Sequence, residues 1–225
     1  RCTAKGASGK SLNSKSSKSF QYMTEATGKL GVMIVGLGAV STTFIAGVLS
    51  ARKGLTKPVG ALTQYDKIRV GTGEAQRYLP YNEILSLPSL NDLEFAAWDV
   101  YPENAFESAV NADVLRAKDI LPLQAELEAI RPLRAAFDRH YAQRLGGTNV
   151  LPEMTRWEMV EHLRQDIRQF KAERGVDRVV VLWAASTEIY VPVDKVHESV
   201  ASLEAAMRAD DREHVAPSMC YAYAA

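Results

Sequence analysis

Apolar positions along this chain fall into short continuous runs separated by stretches of helical spacing. The first run, Val32 to Val35, is wholly apolar, as a buried parallel strand requires. It enters Gly36-Leu37-Gly38. Phe44, Ile45, Val48 and Leu49 then recur at helical spacing, which predicts a helix over 41–53 that stops at Gly54. Leu93-Glu-Phe-Ala-Ala-Trp-Asp99 predicts a second strand with an acid at its end. A helix follows over 103–118, with Ala105, Phe106, Ala109, Ala112 and Val114 or Leu115 inward, then another over about 119–130. Leu133 to Phe137 is a weaker strand candidate. The clearest helix spans 155–174. Thr155 and Glu158 have capping-box spacing, Met159, Val160, Leu163, Ile167 and Phe170 share a face, and Gly175 ends it. Arg178 to Ala184 is a continuous apolar strand of the kind a sheet buried on both faces requires. Asp194 is expected to cap a helix through about Met207, with Val196, Val200 and Leu203 inward.

This alternation predicts an α/β fold: a Rossmann-like, doubly wound parallel sheet with helices on both faces. Residues 55–93 break the rhythm. Pro58, Gly60, Gly71, Gly73, Pro80 and Pro88 punctuate them, as in a long insertion after the first βα unit. Trp98, Trp157 and Trp183 are expected in the core.

Composition narrows the function. The chain has 225 residues, 47% hydrophobic and 24% charged, with 27 basic and 27 acidic residues. Arg1, Lys5, Lys10, Lys15 and Lys18 have no acidic residue near them before Glu25. Taking those five from the 27 basic residues leaves 22 against 27 acidic ones, so the body is mildly acidic and no nucleic-acid partner is expected. Residues 1–28 are rich in Ser, Lys and Gly and read as a disordered or non-native tail, either upstream sequence or a transit peptide. Cys2 and Cys220 lie too far apart for a metal motif, and a reducing, cytoplasmic setting is the simplest reading. No apolar run approaches the ~20 residues of a membrane span, so no membrane partner is expected. Ser218 to Ala225 reads as a helix beginning without a stop, so the chain reads as a piece of a longer one.

The chemistry centres on strand ends, where ligands sit in such a sheet. Strand, glycine turn and helix across Gly36–Thr42 are the parts of a dinucleotide-phosphate site. Gly36 permits the tight turn, Gly38 lets a pyrophosphate approach the backbone, and helix N–H groups near Ser41 and Thr42 face the anion. Ser41 stands where a third glycine is usual. The same pattern also occurs as a plain strand–helix turn. Asp99 ends its strand as a ribose-binding acid should, and its charge favours NAD over NADP. It lies far beyond the usual ~20 residues after the motif, so on spacing it reads equally as a cap for the next helix. Ser186 and Thr187 follow a strand directly, either as cofactor contacts or as turn residues. His140, His162, His197 and His214 are scattered without a ligand-spaced partner, and no metal site is expected.

Taken together, Gly31–Gly47, Ala97-Trp-Asp99, Asp138 through Gly147-Thr-Asn-Val150, Ser186-Thr-Glu188 and Ala216–Ala225 resemble the N-terminal half of the myo-inositol-phosphate synthase family in its bacterial form. The resemblance covers about 29–225, and the long gap before Asp99 is a feature of that family. It implies an NAD-binding domain over 29–225, incomplete at its C-terminus, with a catalytic and tetramerisation domain beyond Ala225. It implies that Gly36, Gly38, Ala39, Val40, Ser41 and Thr42 hold the pyrophosphate, Asp99 the adenosine ribose, and that Ser186 and Thr187 line the cofactor. Ala39-Val40-Ser41 departs from the family's Gly/Asn-rich turn, which leaves backbone contacts there in place of side-chain ones. The implied reaction takes glucose 6-phosphate to inositol phosphate in a homotetramer. NAD removes hydride from C5, an enolate attacks the C1 aldehyde, and hydride returns. Two other readings are an NAD-dependent dehydrogenase of a sugar or amino acid that releases NADH, and a non-catalytic nucleotide-sensing module.

Overall fold

The structure, a computed structural model, describes residues 28–85 and 87–225. The expected tail over 1–28, Gly28 apart, lies outside the described residues, as does Cys2. In chain order the elements are β1 (Leu30–Val35), α1 (Ala39–Arg52), α2 (Leu62–Tyr65), β2 (Lys67–Val70), β3 (Arg77–Pro80), α3 (Tyr81–Ile84), β4 (Leu93–Asp99), α4 (Ala105–Ala112), α5 (Ala117–Ile120), α6 (Gln124–Glu128), β5 (Leu133–Arg134), α7 (Arg156–Arg174), β6 (Arg178–Trp183), α8 (Val200–Arg208) and α9 (Pro217–Ala224).

Strand β1 lies inside a four-stranded sheet of order β5-β4-β1-β6, and each neighbouring pair is parallel. The chain winds outward from β1 to β4 and β5, then crosses back to β6, so the winding reverses beside β1. Side chains of β1 alternate between two cores. Met33 and Val35, with Trp98, pack against Val160 and Leu163 of α7, Met207 of α8 and Tyr221 of α9. Val32 and Ile34, with Phe95 and Ala97, pack against Ile45 and Leu49 of α1, Ala109 of α4 and Leu127 of α6. Burying one such aliphatic side chain contributes about 1.5–3 kcal/mol. Helices therefore cover both faces of a parallel sheet, as the alternation of elements predicts.

Several boundaries follow local chemistry that the apolar spacing did not carry. The 103–118 helix stops at Ala112 because Asp113 takes a left-handed conformation (φ 50°), and Val114 beyond it is exposed. Its start is fixed by Asn104, whose side chain accepts from Phe106 and Glu107 N–H groups while Glu107 reaches back. The 119–130 helix is split by Pro122, which has no N–H to continue the ladder. Beyond Arg134 the 133–137 strand leaves the ladder, because Ala135 exchanges hydrogen bonds with Asn149 and Leu151 instead. Asp194 caps only the 3₁₀ turn Lys195–His197. Ser199 caps α8, and Val200 faces solvent, not the core. The insertion folds as an antiparallel hairpin, β2 with β3, whose side chains are mostly exposed.

Strand β6 departs from expectation in a larger way. It is the sheet edge, and Val180, Leu182 and Trp183 are about 40% exposed. Val179 and Val181 pack on the α7–α9 side, but no described helix covers the opposite face of this strand. Trp98 is fully buried as expected, Trp157 is half-buried, and Trp183 is not in the core.

A loop over 135–151 closes the C-terminal edge of β4. Asn149 donates its side-chain amide to the Asp99 carbonyl at 2.9 Å and the Leu133 carbonyl at 3.1 Å, tying two strand ends together. Gly147 passes so close to β4 that a Cβ there would lie 1.9 Å from the Val100 carbonyl oxygen. Backbone cannot yield as a side chain does. Gly147→Ala is therefore expected to destabilise the fold by about 1–3 kcal/mol, seen as a lower urea midpoint at unchanged slope. An unchanged midpoint would show that this loop is not held against the strand.

Candidate functional site

The register of the sheet assembles the site. Val35 is level with Trp98 on one side and Trp183 on the other, so three strands end together. Gly36 N–H donates to the Trp98 carbonyl at 2.7 Å, and Ala184 N–H to the Val35 carbonyl at 2.9 Å. Gly36 holds φ +92°, and a Cβ there would meet the Ala185 Cα at 2.6 Å. The turn thus needs glycine for conformation and for space. Gly38, at the N-cap of α1, differs: nothing lies within 4 Å of where its Cβ would be.

Gly38 has no side chain to cap α1, and among the described residues the first N–H groups of that helix, at Ala39, Val40 and Ser41, have no side-chain acceptor. Ser41 and Thr42 are buried. Their hydroxyls turn back to the carbonyls of Gly36 and Gly38, so both side chains brace the turn. The open end of α1 therefore presents backbone N–H groups to an anion. Asp99 lies opposite. One carboxylate oxygen accepts from Leu37 N–H and the other from Tyr101 N–H at 2.9 Å. The cap of α4 is Asn104, so Asp99 does not serve as the cap of the helix that follows it.

These residues border a cleft of about 130 Å³ at the strand ends. Gly36, Gly38, Asp99 and Ser186 all line it, and so do Asp138, Trp183, Glu188 and Tyr221. Thr187 is exposed and is not among the lining residues. Of the lining group, Asp138, Trp183 and Tyr221 have no site role in the sequence reading, whereas Glu188 closes the strand-end stretch Ser186-Thr-Glu188 that does.

Behind the cleft lies Arg156, fully buried at the first turn of α7. It donates to Asp138 at 2.6 Å and to the Val215 carbonyl at 2.8 Å, and it stacks over Tyr141. Burial works against the Asp138 charge, but the Arg156 and His140 N–H bonds outweigh it and leave the carboxyl below its usual range. Glu188 goes the other way. Burial pushes it up, against two hydrogen bonds from Ser218, at 3.1 Å from N–H and 2.5 Å from the hydroxyl. Burial also raises Tyr221 and pushes the Cys220 thiol up to about 12, so neither ionises near neutrality. Two histidines do pair with acids at helical or turn spacing, His162 with Asp166 at 3.8 Å and His214 with Asp211 at 2.9 Å, and His214 also lies 3.6 Å from the distant Asp194. Among the described residues, no group of three His, Cys, Asp or Glu is arranged to hold a metal.

A glycine turn opening onto an uncapped helix, at the point where a parallel sheet reverses its winding, defines a Rossmann-like dinucleotide-binding domain. Residues 30–225 match the NAD-binding family model described as myo-inositol-1-phosphate synthase, and the chain belongs to that family, with NAD as its cofactor. The chain is 52% identical to inositol-3-phosphate synthase 1 of Bacteroides thetaiotaomicron over 91% of its own length and 47% of the relative's. It is 33% identical to inositol-3-phosphate synthase 1 of Oryza sativa, over 92% of itself and 44% of that protein. The crystal structure of inositol-3-phosphate synthase from Caenorhabditis elegans superposes with a TM-score of 0.78 at 28% identity, over 87% of this chain and 42% of that one. The chain thus spans under half the length of these relatives and corresponds to their NAD-binding part.

Gly36→Ala is expected to cost about 2–4 kcal/mol, combining a left-handed alanine with overlap against the Ala185 backbone. Thermal unfolding at a lower temperature is the readout, and an unchanged transition would mean the strand ends are not in contact.

Proposed function

We propose that this chain is the cofactor-holding part of an inositol-3-phosphate synthase, acting in the conversion of D-glucose 6-phosphate to 1D-myo-inositol 3-phosphate. The observation that carries the reading is the meeting of Gly36, Gly38, Asp99 and Ser186 in one cleft, in a chain matched by that family's NAD-binding model. When bound, NAD supplies a hydride acceptor that becomes a hydride donor later in the same turnover. The chain's own part is to hold it. Backbone N–H groups of Ala39, Val40 and Ser41 receive the pyrophosphate, with Thr42 and Ser41 bracing the turn from inside. Gly38 keeps the approach free of a side chain, and Gly36 lets the turn close against the β6 end. Asp99 accepts from the ribose hydroxyls and repels a 2′-phosphate, which favours NAD over NADP. Ser186 flanks the cofactor from the segment after β6, and Thr187, outside the cleft, is left without a contact of its own.

The acid–base groups that work on the sugar belong, in this reading, to the part of the relatives that the chain does not span. The whole enzyme is then a cytoplasmic homotetramer serving inositol and phospholipid synthesis. The exposed apolar face of β6, at Val180 and Leu182, supports an assembled state.

Two measurements test this. Gly38→Ala places its Cβ in open space, so its stability is expected to stay within about 0.5 kcal/mol of the parent. NAD binding by calorimetry is expected to weaken by roughly tenfold or more, about 1.4 kcal/mol, and equal affinity would remove the pyrophosphate from this turn. The 225-residue chain, supplied with NAD and glucose 6-phosphate, is expected to form neither inositol phosphate nor NADH. Inositol phosphate would place the catalytic groups within this chain, and accumulating NADH would favour a dehydrogenase.

A further inference from the structure

Strand β6 ends at Trp183, and residues 184–194 that follow form no helix or strand. Yet Ala184, Ala185, Ser186 and Glu188 form one wall of the cleft. Something other than a backbone ladder must hold their shape. Ala184 N–H is fixed on Val35, and Ile189 N–H on the Tyr141 carbonyl at 2.8 Å. Between those points the tether is the Glu188 side chain. It reaches the first turn of α9, where it accepts from both the N–H and the hydroxyl of Ser218.

The other end of that tether needs it equally. Helix α9 begins after Ala216, which offers no side-chain cap, and Pro217 follows with no N–H to donate. The Ser218 N–H is an orphan donor of the first turn, and Glu188 supplies the missing acceptor with a charge of the sign that a helix start favours. One carboxylate thus joins the start of α9 to the cleft wall.

We propose that Glu188 is a positioning residue for the cofactor: its carboxylate, anchored on Ser218, holds segment 184–188 in the shape that receives NAD. This rests on the cofactor reading above and extends it to a residue outside the glycine turn and Asp99. The groups facing Glu188 are Ser218 and the Cys220 thiol from α9, the buried Arg156 guanidinium from α7, and the Asp138 carboxylate from the loop after β5. Tyr221 of α9 lines the same cleft. Burial lifts the ionisation of Glu188 above the usual carboxylate range, whereas Asp138 sits below it. The ionised form makes the tether. NAD affinity should therefore be full above the Glu188 ionisation and fall as the pH drops through it, before Asp138 titrates.

The test is an NAD titration of the full chain followed by tryptophan fluorescence, since Trp183 lines the cleft, across pH 5–8, about the range above ordinary carboxylate ionisation. Glu188→Ala is expected to weaken binding by about tenfold at neutral pH. Glu188→Gln keeps the shape but mimics the protonated acid, so it should bind at every pH with the lowered affinity that the parent shows on the acid side, and show no fall. Ser218→Ala removes a bond that favours the charged form, so its fall should move to higher pH. Parent-like affinity in Glu188→Ala, or the parent pH profile in Glu188→Gln, overturns the proposal. If the alanine variant does not fold, the profile of the glutamine variant decides. An unsubstituted chain that binds no NAD at any pH overturns the cofactor reading itself, and that result is visible before any variant is made.

Discussion

At the end of β1 there is no room for a side chain. Gly36 runs against the backbone of Ala184 and Ala185 while its N–H is fixed on Trp98, so the ends of three strands are drawn together around one residue. The open N-terminus of α1, the Asp99 carboxylate and the segment after β6 all take their positions from that contact. A Cβ at Gly36 would push the β6 end away and open the cleft. At Gly38, two residues on, the same atom would meet nothing, because that side of the turn faces the open cleft and not the protein. Two glycines of one motif thus answer different demands, close packing at the first and access at the second.

The electrostatic character of the cleft is unusual for an anion-binding surface. Asp99, Asp138 and Glu188 line it, and among the described residues neither Lys nor Arg does. The nearest buried cation, Arg156, stands behind Asp138 and is fully withdrawn from solvent. An anion here would depend on helix N–H groups, whose partial charge is fixed in space and needs no side chain to be ordered. The carboxylates then serve other purposes: Asp99 ties the turn to β4, Asp138 orients the 138–149 loop through Arg156, and Glu188 ties the cleft wall to α9. Ionised Asp138 beside a buried guanidinium is the arrangement in which an internal charge is tolerated, since neither partner is left alone.

The chain's relation to its relatives gives the exposed apolar edge a setting. An edge strand with Val180, Leu182 and Trp183 at the surface is a liability in a free domain, because it offers both unpaired backbone groups and apolar area. The chain spans under half of the relatives it matches. The apolar run at 178–184 has the composition of an interior strand, although its place in the sheet is an outer one.

Much of the fold was legible in the residues alone where the determining chemistry is local. β1, β4, α7 with its Thr155–Glu158 cap and Gly175 stop, and the order of the parallel units follow from apolar runs, caps and glycines a few positions apart. The same holds for the glycine turn and for Asp99 at a strand end. The helix breaks at Asp113 and Pro122 were also locally written, but apolar periodicity outweighed them in the reading. What the tertiary structure decided depends on partners far apart in sequence. Asp99 is tied to the glycine turn because Leu37, 62 residues earlier, lies against it. Glu188 became part of the site because Ser218, 30 residues later, starts a helix beside it. β6 is an edge because no described strand lies beyond it, and an apolar run reads the same whether or not a neighbour exists. Sequence spacing encodes which face of an element is apolar. Which groups meet across the sheet is set only when register and helix packing bring the strand ends into line.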